Sequence, residues 1–358
     1  MKIAYVAWVP GGTETGVLKK MVFQLRAWRA AGHEVALFTL GHGDEPWQGA
    51  ADLPFRVYPV RGAASWFTQA ERLVDAVREL GPDVVYHRFN VYFPALERMF
   101  RRHATVVELN TLDLPEYRAS MSKARFAYHR LTRGRILQGA SGLVAVTEEI
   151  ARSVARAGRP VLVLGNGIDL ASIEPLPVAD TSRTRLVLIA AKPDEPWHGL
   201  DKLLALARAM PDIEVHIVGQ LGSAGPLSPN VVLHGYLGQA QYRTLLAGAV
   251  AGVAPLALHR KQMQEACPLK SREYLALGLP IIAAYRDPDF VHGAPYVLQL
   301  PNCEDNVQQS LPAIREFLQH WRQRRVDRNA IGGLDVRSKE RVRLSFLSAC
   351  AATRNGHP

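Results

Sequence analysis

Short apolar runs alternate along the chain with segments whose apolar residues recur every three or four positions, the rhythm of strands and helices in turn. Residues 2 to 8, KIAYVAW, read as a buried strand. A glycine loop follows at Pro10 to Gly16, PGGTETG, and then Val17, Leu18, Met21, Val22, Leu25 and Trp28 fall on one face of a helix that Gly32 ends. Further strands are expected at Glu34 to Thr39, Phe55 to Val60, Asp83 to Arg88, Thr105 to Asn110, Gly142 to Val146 and Val161 to Leu164. Helices are expected at Gln69 to Leu80 and Tyr92 to Arg102. Such alternation predicts a mostly parallel sheet with helices on both faces.

The rhythm lapses over Leu170 to Thr184, LASIEPLPVADTSRT, which has two prolines and no clear period, and the domain boundary is placed there. A second series then starts with strands at Arg185 to Ala191, Glu214 to Gly219, Val231 to His234, Val250 to Pro255 and Tyr296 to Leu300. Its helices are read at Gly199 to Met210, Gln239 to Ala247 and around Asp305 to Arg324. The fold class is therefore α/β, with two Rossmann-like domains facing each other across a cleft that is the natural site. The expected domains are residues 1–169 and 170–334, followed by a terminal helix within 335–358.

One stretch carries most of the chemistry: Glu265 to Ala284, EACPLKSREYLALGLPIIAA. Glu265 and Glu273 are separated by seven residues, and Pro268 suits the first position of a helix because its missing N–H has no partner there. The free N–H groups from Leu269 onward, the positive end of the helix dipole and Lys270 form a site for an anion. Gly278 and Pro280 stop the helix, and Ile281 to Ala284 form a buried strand. A carboxylate accepts hydrogen bonds from sugar hydroxyls and a helix start suits phosphate, so the combination describes a sugar nucleotide. The alternative is that both glutamates only favour a helix start.

Composition narrows the setting. A chain of 358 residues with 48% hydrophobic content is sized for two soluble domains. Cys267, Cys303 and Cys350 are odd in number and lack metal-ligand spacing, which fits a reducing cytoplasm. Leu245 to Leu258 is too short and too broken by glycine and proline to span a bilayer. The net charge of +10 and pI of 9.7 call for an anionic partner. Tyr117 to Arg135 holds six basic residues and no acid, interleaved with Tyr117, Phe126 and Tyr128. A helix of that kind lies on anionic lipid headgroups, or else it is a solvated face with its aromatics turned inward.

In the first domain the glycines are spaced G-G-x-x-x-G and no acid ends the second strand, so a dinucleotide site is not expected, although Gly12 and Gly16 suit close approach to a donor phosphate. Taken in order, GGTETG with AAGHEV, LGNGID at 164 to 169, AAKPDEPWHGLDKLL and the paired glutamates resemble the retaining glycosyltransferases of family four, which have the GT-B fold. The resemblance implies transfer of a sugar from a nucleoside diphosphate sugar, UDP- or GDP-linked, to an acceptor hydroxyl. It implies that Glu265 meets the transferred sugar, that Glu273 meets the ribose, and that the final helix, near Arg337 to Ala351, crosses back onto the first domain. Lys192 matches a cation that neutralises the donor diphosphate. His198 stands where a second lysine is usual, a departure for which Lys270, Lys261 or Arg260 would compensate. Cys267 and Pro268 occupy a loop where relatives carry a glycine, and Gly219 with Gln220 is placed under the nucleotide base.

Relatives place a histidine near the strand that here reads VVELNTLD; Glu108 and Asn110 stand there instead. With Arg88 and Asp113 they are the candidates for acceptor contacts, and Glu108 or Asp113 is the candidate base if the outcome were inversion. Catalysis is assigned to Glu265, Lys192 and Lys270, with no metal or other cofactor, the protein's own cations standing in for a divalent ion. The acceptor is expected to be a sugar or a lipid-linked glycan, and the protein to be cytoplasmic, with a peripheral position on the inner membrane face. Two rivals stay open at this point: a nucleotide-sugar epimerase that uses the same donor site, and a basic nucleic-acid-binding protein, against which stands the lack of any recognised nucleic-acid module.

Overall fold

The computed structural model describes residues 1–9, 14–178, 183–222 and 227–355. Two units divide the chain, Met1–Gly167 with Val336–Pro358, and Ile168–Asp335.

In the first unit, strands β1 (Lys2–Ala7), β2 (Glu34–Gly41), β3 (Phe55–Pro59), β4 (Val84–Arg88), β5 (Ala104–Leu109), β6 (Gly142–Ala145) and β7 (Val161–Val163) form one sheet in the order β3-β2-β1-β4-β5-β6-β7. Every pairing is parallel, with Ile3 beside both Val35 and Val84. A parallel sheet covered on both faces needs apolar residues at successive positions, and the run from Ile3 to Ala7 is accordingly buried throughout. The first helix spans Gly16–Ala30; Thr15 caps it by accepting the Leu18 N–H at 3.1 Å. Leu18, Met21, Val22, Leu25 and Trp28 all face the core, as their spacing predicts.

The terminal helix, Val336–Asn355, packs on this same unit, with Leu344, Leu347 and Cys350 in one core with Ile3, Leu25 and Val144. Gly142 makes that docking possible. A Cβ there would lie 2.6 Å from Cys350 Sγ and 2.9 Å from the Phe346 ring.

The second unit repeats the plan with β8 (Thr184–Ile189), β9 (Ile213–Val218), β10 (Val231–Leu233), β11 (Ala251–Val253), β12 (Ile281–Ala283) and β13 (Val297–Gln299), in the order β10-β9-β8-β11-β12-β13, again all parallel. The aperiodic stretch beginning at Leu170 packs on this unit: Arg328 donates to the carbonyls of Leu170 and Ile173, and Leu176 is buried.

Several boundaries differ from the sequence reading. The helix expected from Gln69 begins at Ala63. The basic stretch forms two helices, Asp113–Ser120 and Lys123–Gly139, because Ser122 accepts the Arg125 N–H at 3.4 Å and starts a new helix. The stretch from Asp305 to Arg324 likewise breaks into Asn306–Gln309 and Leu311–Trp321, where Pro312 suits a helix start but not an interior.

Candidate active site

The candidate donor site lies at the carboxyl ends of the strands of the second sheet, where a doubly wound fold binds its ligands. There the chain leaves β8 through Ala190 and Ala191 to the exposed Lys192, and leaves β9 through Gly219 and Gln220. Gly219 accepts no substitute. Its φ is +138°, and a Cβ would fall 1.7 Å from the Ala190 carbonyl oxygen. Its N–H donates to the Gly235 carbonyl at 2.7 Å, and the Gln220 N–H donates to Ala191 at 3.1 Å, which fastens the two strand ends together.

The loop before the key helix is held like a short strand. Ala266 donates to the Arg286 carbonyl at 3.1 Å, and Arg286 donates to the Gln264 carbonyl at 2.9 Å. Glu265, only 14% exposed, reaches the Arg286 guanidinium at 3.6 Å. Pro268 is extended, with ψ of 138°, so it caps the helix and Leu269 is the first helical residue, one position later than expected. The helix runs Leu269–Ala276, and Gly278 at φ +85° follows it. Its buried face is locked to the sheet: Tyr274 Oη accepts the Ile189 N–H at 2.8 Å, and its ring fills the space a side chain on Gly252 would need. The Glu273 carboxylate accepts a hydrogen bond from Tyr242 at 2.7 Å.

Lys270 Nζ and His198 Nδ1 are both buried polar atoms without a hydrogen-bond partner among the described residues. Burial lowers the Lys270 ammonium to about 7. Burial lowers the His198 imidazole to about 3, with the charges of Lys270 and Lys261 adding to the effect, so the ring is neutral. An enclosed lysine that no described residue meets is costly unless an anion joins it. Of the other cations expected to assist, Arg260 is tied to Asp201 at 2.8 Å and to Glu304, and Lys261 lies over the Trp197 ring at 4.8 Å.

Cys267 faces inward. Its Sγ accepts from Arg272 Nη2 at 2.8 Å, and Arg272 is buried between Asp287 at 2.7 Å and Asp289 at 2.6 Å. Cys267 therefore shapes the loop from beneath and offers no thiol to the donor. Asp287 and Asp289 form a D-x-D pair, which corrects the expectation that the chain holds none, and with Cys267 their ligand atoms lie within 4.8 Å of one another. The Arg272 guanidinium is hydrogen-bonded to both carboxylates and to the Cys267 sulfur.

The first unit has its own cavity of about 210 Å³, again at strand ends, lined by Trp8, Arg88, Asn110, Glu116 and Tyr117 among others. Of the four residues expected to contact an acceptor, Arg88 and Asn110 line it. Glu108 and Asp113 do not. Glu108 is fully enclosed; Lys20 donates to it at 2.8 Å and Tyr86 at 2.8 Å, and Arg343 and Arg88 stand 3.4 and 3.5 Å away. Burial would raise its carboxyl, but Lys20, Arg343 and Arg88 hold it well below the usual carboxylate range, which leaves it too weak a base to take a proton. Asp113 is buried against His129 at 2.6 Å and paired with Arg133 through both oxygens at 2.7 and 2.8 Å. Gly16 opens the first helix, and Gly12 lies outside the described residues.

Residues 16–172 match the family model for Glycosyltransferase Family 4. No curated protein is similar enough in sequence to match. Among solved structures, sucrose-phosphate synthase from Thermosynechococcus elongatus superposes with a TM-score of 0.66 at 16% identity, over 99% of this chain and 97% of that one. The lipopolysaccharide outer core galactosyltransferase WaaB gives 0.65 at 12%, over 97% of this chain and 99% of that one. The Anabaena protein HepE, solved with UDP and glucose, gives 0.64 at 16%, again over 97% and 99%. The chain has the GT-B fold of these glycosyltransferases, and its residues 16–172 resemble glycosyltransferase family four.

Proposed function

We propose that the protein transfers a sugar from a nucleoside diphosphate sugar to an acceptor hydroxyl, with retention and without a metal ion. The observation that carries this is the pair of buried polar atoms without a partner among the described residues, Lys270 Nζ in the first turn of the helix Leu269–Ala276 and His198 Nδ1, which feels the Lys270 charge. Rupture of the glycosidic bond leaves positive charge on the sugar and gives the electron pair to the diphosphate. Lys270, Lys192 and the N–H groups at the start of Leu269–Ala276 stabilise that leaving group, while Glu265 faces the sugar and Glu273 the ribose. The His198 imidazole, neutral in the free protein, becomes a cation only if the phosphate draws a proton onto it. UDP is the first donor nucleotide to test, because HepE was solved with it; GDP is the second.

The acceptor is assigned to the first unit. No helix among the described residues is long and apolar enough to cross a membrane. On the helix Lys123–Gly139, Lys123, Ala127, Arg130 and Leu131 share an exposed face, with Leu131 82% exposed, which suits an anionic lipid surface and a lipid-linked acceptor on the cytoplasmic side. Calorimetry with UDP, GDP, ADP and dTDP, followed by anomer-resolved NMR of the sugar released on slow donor hydrolysis, tests the reading. Binding of none of the four nucleotides would sink it, and an inverted anomer would remove retention alone. An epimer instead of free sugar would favour the epimerase rival.

A further inference from the structure

The charges behind the cavity of the first unit do not balance. Among the described residues, Lys20, Arg88 and Arg343 meet two carboxylates, Glu108 and Glu340, in a cluster where all but Arg88 are at most 4% exposed. Glu340 is shared further, accepting from Trp28 at 2.7 Å and Gln24 at 3.2 Å, while Arg343 Nη2 has no partner among the described residues. Adding Glu116 and Asp113 on one side and Arg125 and Arg133 on the other, the charged groups around Tyr117, leaves the same surplus of one positive charge. A surplus cation in a low-dielectric interior is costly, and the cost falls if a ligand brings the missing negative charge.

Arg88, 19% exposed, is the member of that cluster that lines the cavity. A second guanidinium stands behind the cavity wall: Arg125 lies over the ring of Trp8, a lining residue, at 4.9 Å, and its charge, like that of Arg88, acts on Tyr117. Tyr117 supplies another aromatic wall and Glu116, fixed by Thr111 at 2.5 Å, a hydrogen-bond acceptor. The amides are already committed, since Asn110 accepts from Lys20 at 3.0 Å and donates to Glu108 at 3.0 Å. The volume of about 210 Å³ is that of about seven waters, enough for one sugar ring.

We propose that this cavity takes an acceptor glycoside that carries an anionic group, its charge met by Arg88 and Arg125, its ring set against Tyr117 and its hydroxyl bound by Glu116. The inference rests on the reading of the chain as a glycosyltransferase that uses a nucleotide-sugar donor, and it specifies the acceptor. Carboxylate and phosphate satisfy the same guanidinium chemistry, so both sources of charge are tested.

The test titrates the full-length protein, following tryptophan fluorescence and heat, with methyl glucuronide, methyl glucoside 6-phosphate and uncharged methyl glucoside, and with the galactose and mannose counterparts. At least one charged glycoside is expected to bind about tenfold more tightly than its neutral partner, the worth of one charge-assisted hydrogen bond. Arg125→Gln, an exposed change, is expected to close most of that gap. Tighter carboxylate or tighter 6-phosphate then identifies the source of the charge. Equal affinity for charged and neutral glycosides would overturn the inference, and so would inorganic phosphate binding as well as the sugar phosphate. Equal weakening of UDP by Arg125→Gln would assign the cavity to the donor and overturn it too. If the unaltered protein binds neither UDP nor GDP, the donor reading fails and takes the inference with it; that outcome shows in the nucleotide titration, not in the glycoside one.

Discussion

The Tyr242 hydroxyl donates to Oε1 of Glu273 at 2.7 Å, so the second glutamate of the pair is oriented before any ligand arrives. An acceptor-only carboxylate fixed in this way suits a ribose diol, an interaction the same in ground state and transition state. Removing it weakens binding and leaves turnover of the bound donor nearly unchanged. Glu273→Gln is expected to weaken free nucleoside diphosphate about tenfold or more, and Tyr242→Phe by a smaller factor, about threefold to tenfold. Calorimetric titration beside steady-state rates checks both; unchanged nucleotide affinity in Glu273→Gln would remove the ribose assignment.

On the proposed reading, Lys270 is expected to give nucleotide binding a pH dependence of definite sign. Burial holds the free-protein ammonium at about 7 against an ordinary 10.5, and a diphosphate raises it again. Between those limits binding takes up a proton, so affinity falls as pH rises above 7 and is flat, as far as this group is concerned, below it. Folding has a related dependence. The unfolded chain keeps the proton up to about 10.5, so the cost of the buried charge is present below pH 7 and is relieved as pH climbs above it. Lys270→Met is expected to bind nucleotide more weakly and to lose the slope; titrations from pH 6 to 9 in buffers of differing ionisation heat measure both.

What could be read in advance was whatever is local. The spacing of Leu18, Met21, Leu25 and Trp28 marked a buried helix face, and the run Glu265 to Ala284 marked a loop, a helix start and a strand. Long-range pairing was invisible. Lys20 and Gln24 are one turn apart in that first helix, and both are buried. Their partners Glu108 and Glu340 lie 88 and 316 residues away. Polar residues on an apolar face were the available signal that a buried charge was waiting for a partner. Glu108 and Asp113 stood at the right strand end and looked available, yet arginines and a lysine from other elements enclose them. Cys267, a residue of the candidate donor loop, packs inward for the same reason, since Asp287 and Asp289 draw Arg272 beneath it.

The basic helix is a narrower surface than its composition suggests. Arg133 is paired with Asp113 and Arg135 with Glu97, which leaves Lys123 and Arg130 flanking Leu131 on the exposed face. Each basic residue near an anionic bilayer contributes about 1 kcal/mol. Lys123→Gln with Arg130→Gln is therefore expected to cut binding to phosphatidylserine vesicles about tenfold or more, and Leu131→Ser to reduce it further. Vesicle sedimentation at low and physiological salt measures this; binding that ignores all three changes would mean a solvated face.

Turnover is expected to need no added divalent cation. The D-x-D carboxylates Asp287 and Asp289 are engaged with Arg272, while Lys270 offers positive charge at the proposed diphosphate site. Donor hydrolysis measured after exhaustive EDTA treatment should match the untreated rate. A rate abolished by EDTA and restored by magnesium or manganese would overturn this.

Glu265 is expected to act differently from Glu273, and the structure supplies a reason. Its carboxylate is mostly enclosed beside Arg286, on a loop pinned by two backbone hydrogen bonds between 264–266 and Arg286, so it cannot relax far when charge changes in front of it. A fixed negative charge contributes most where positive charge develops, which for glycosyl transfer is the sugar carbon as the leaving diphosphate departs. Glu265→Gln keeps the shape and removes that charge. Nucleoside diphosphate should still bind it with nearly ordinary affinity, while kcat falls about 100-fold or more, near 3 kcal/mol of transition-state stabilisation. If both glutamates only favoured a helix start, each substitution would cost about 0.3 to 1 kcal/mol of stability with no selective kinetic effect. Thermal unfolding, nucleotide titration and rates measured on the two mutants separate these cases, and parallel behaviour of Glu265→Gln and Glu273→Gln in all three would remove the distinction drawn between them.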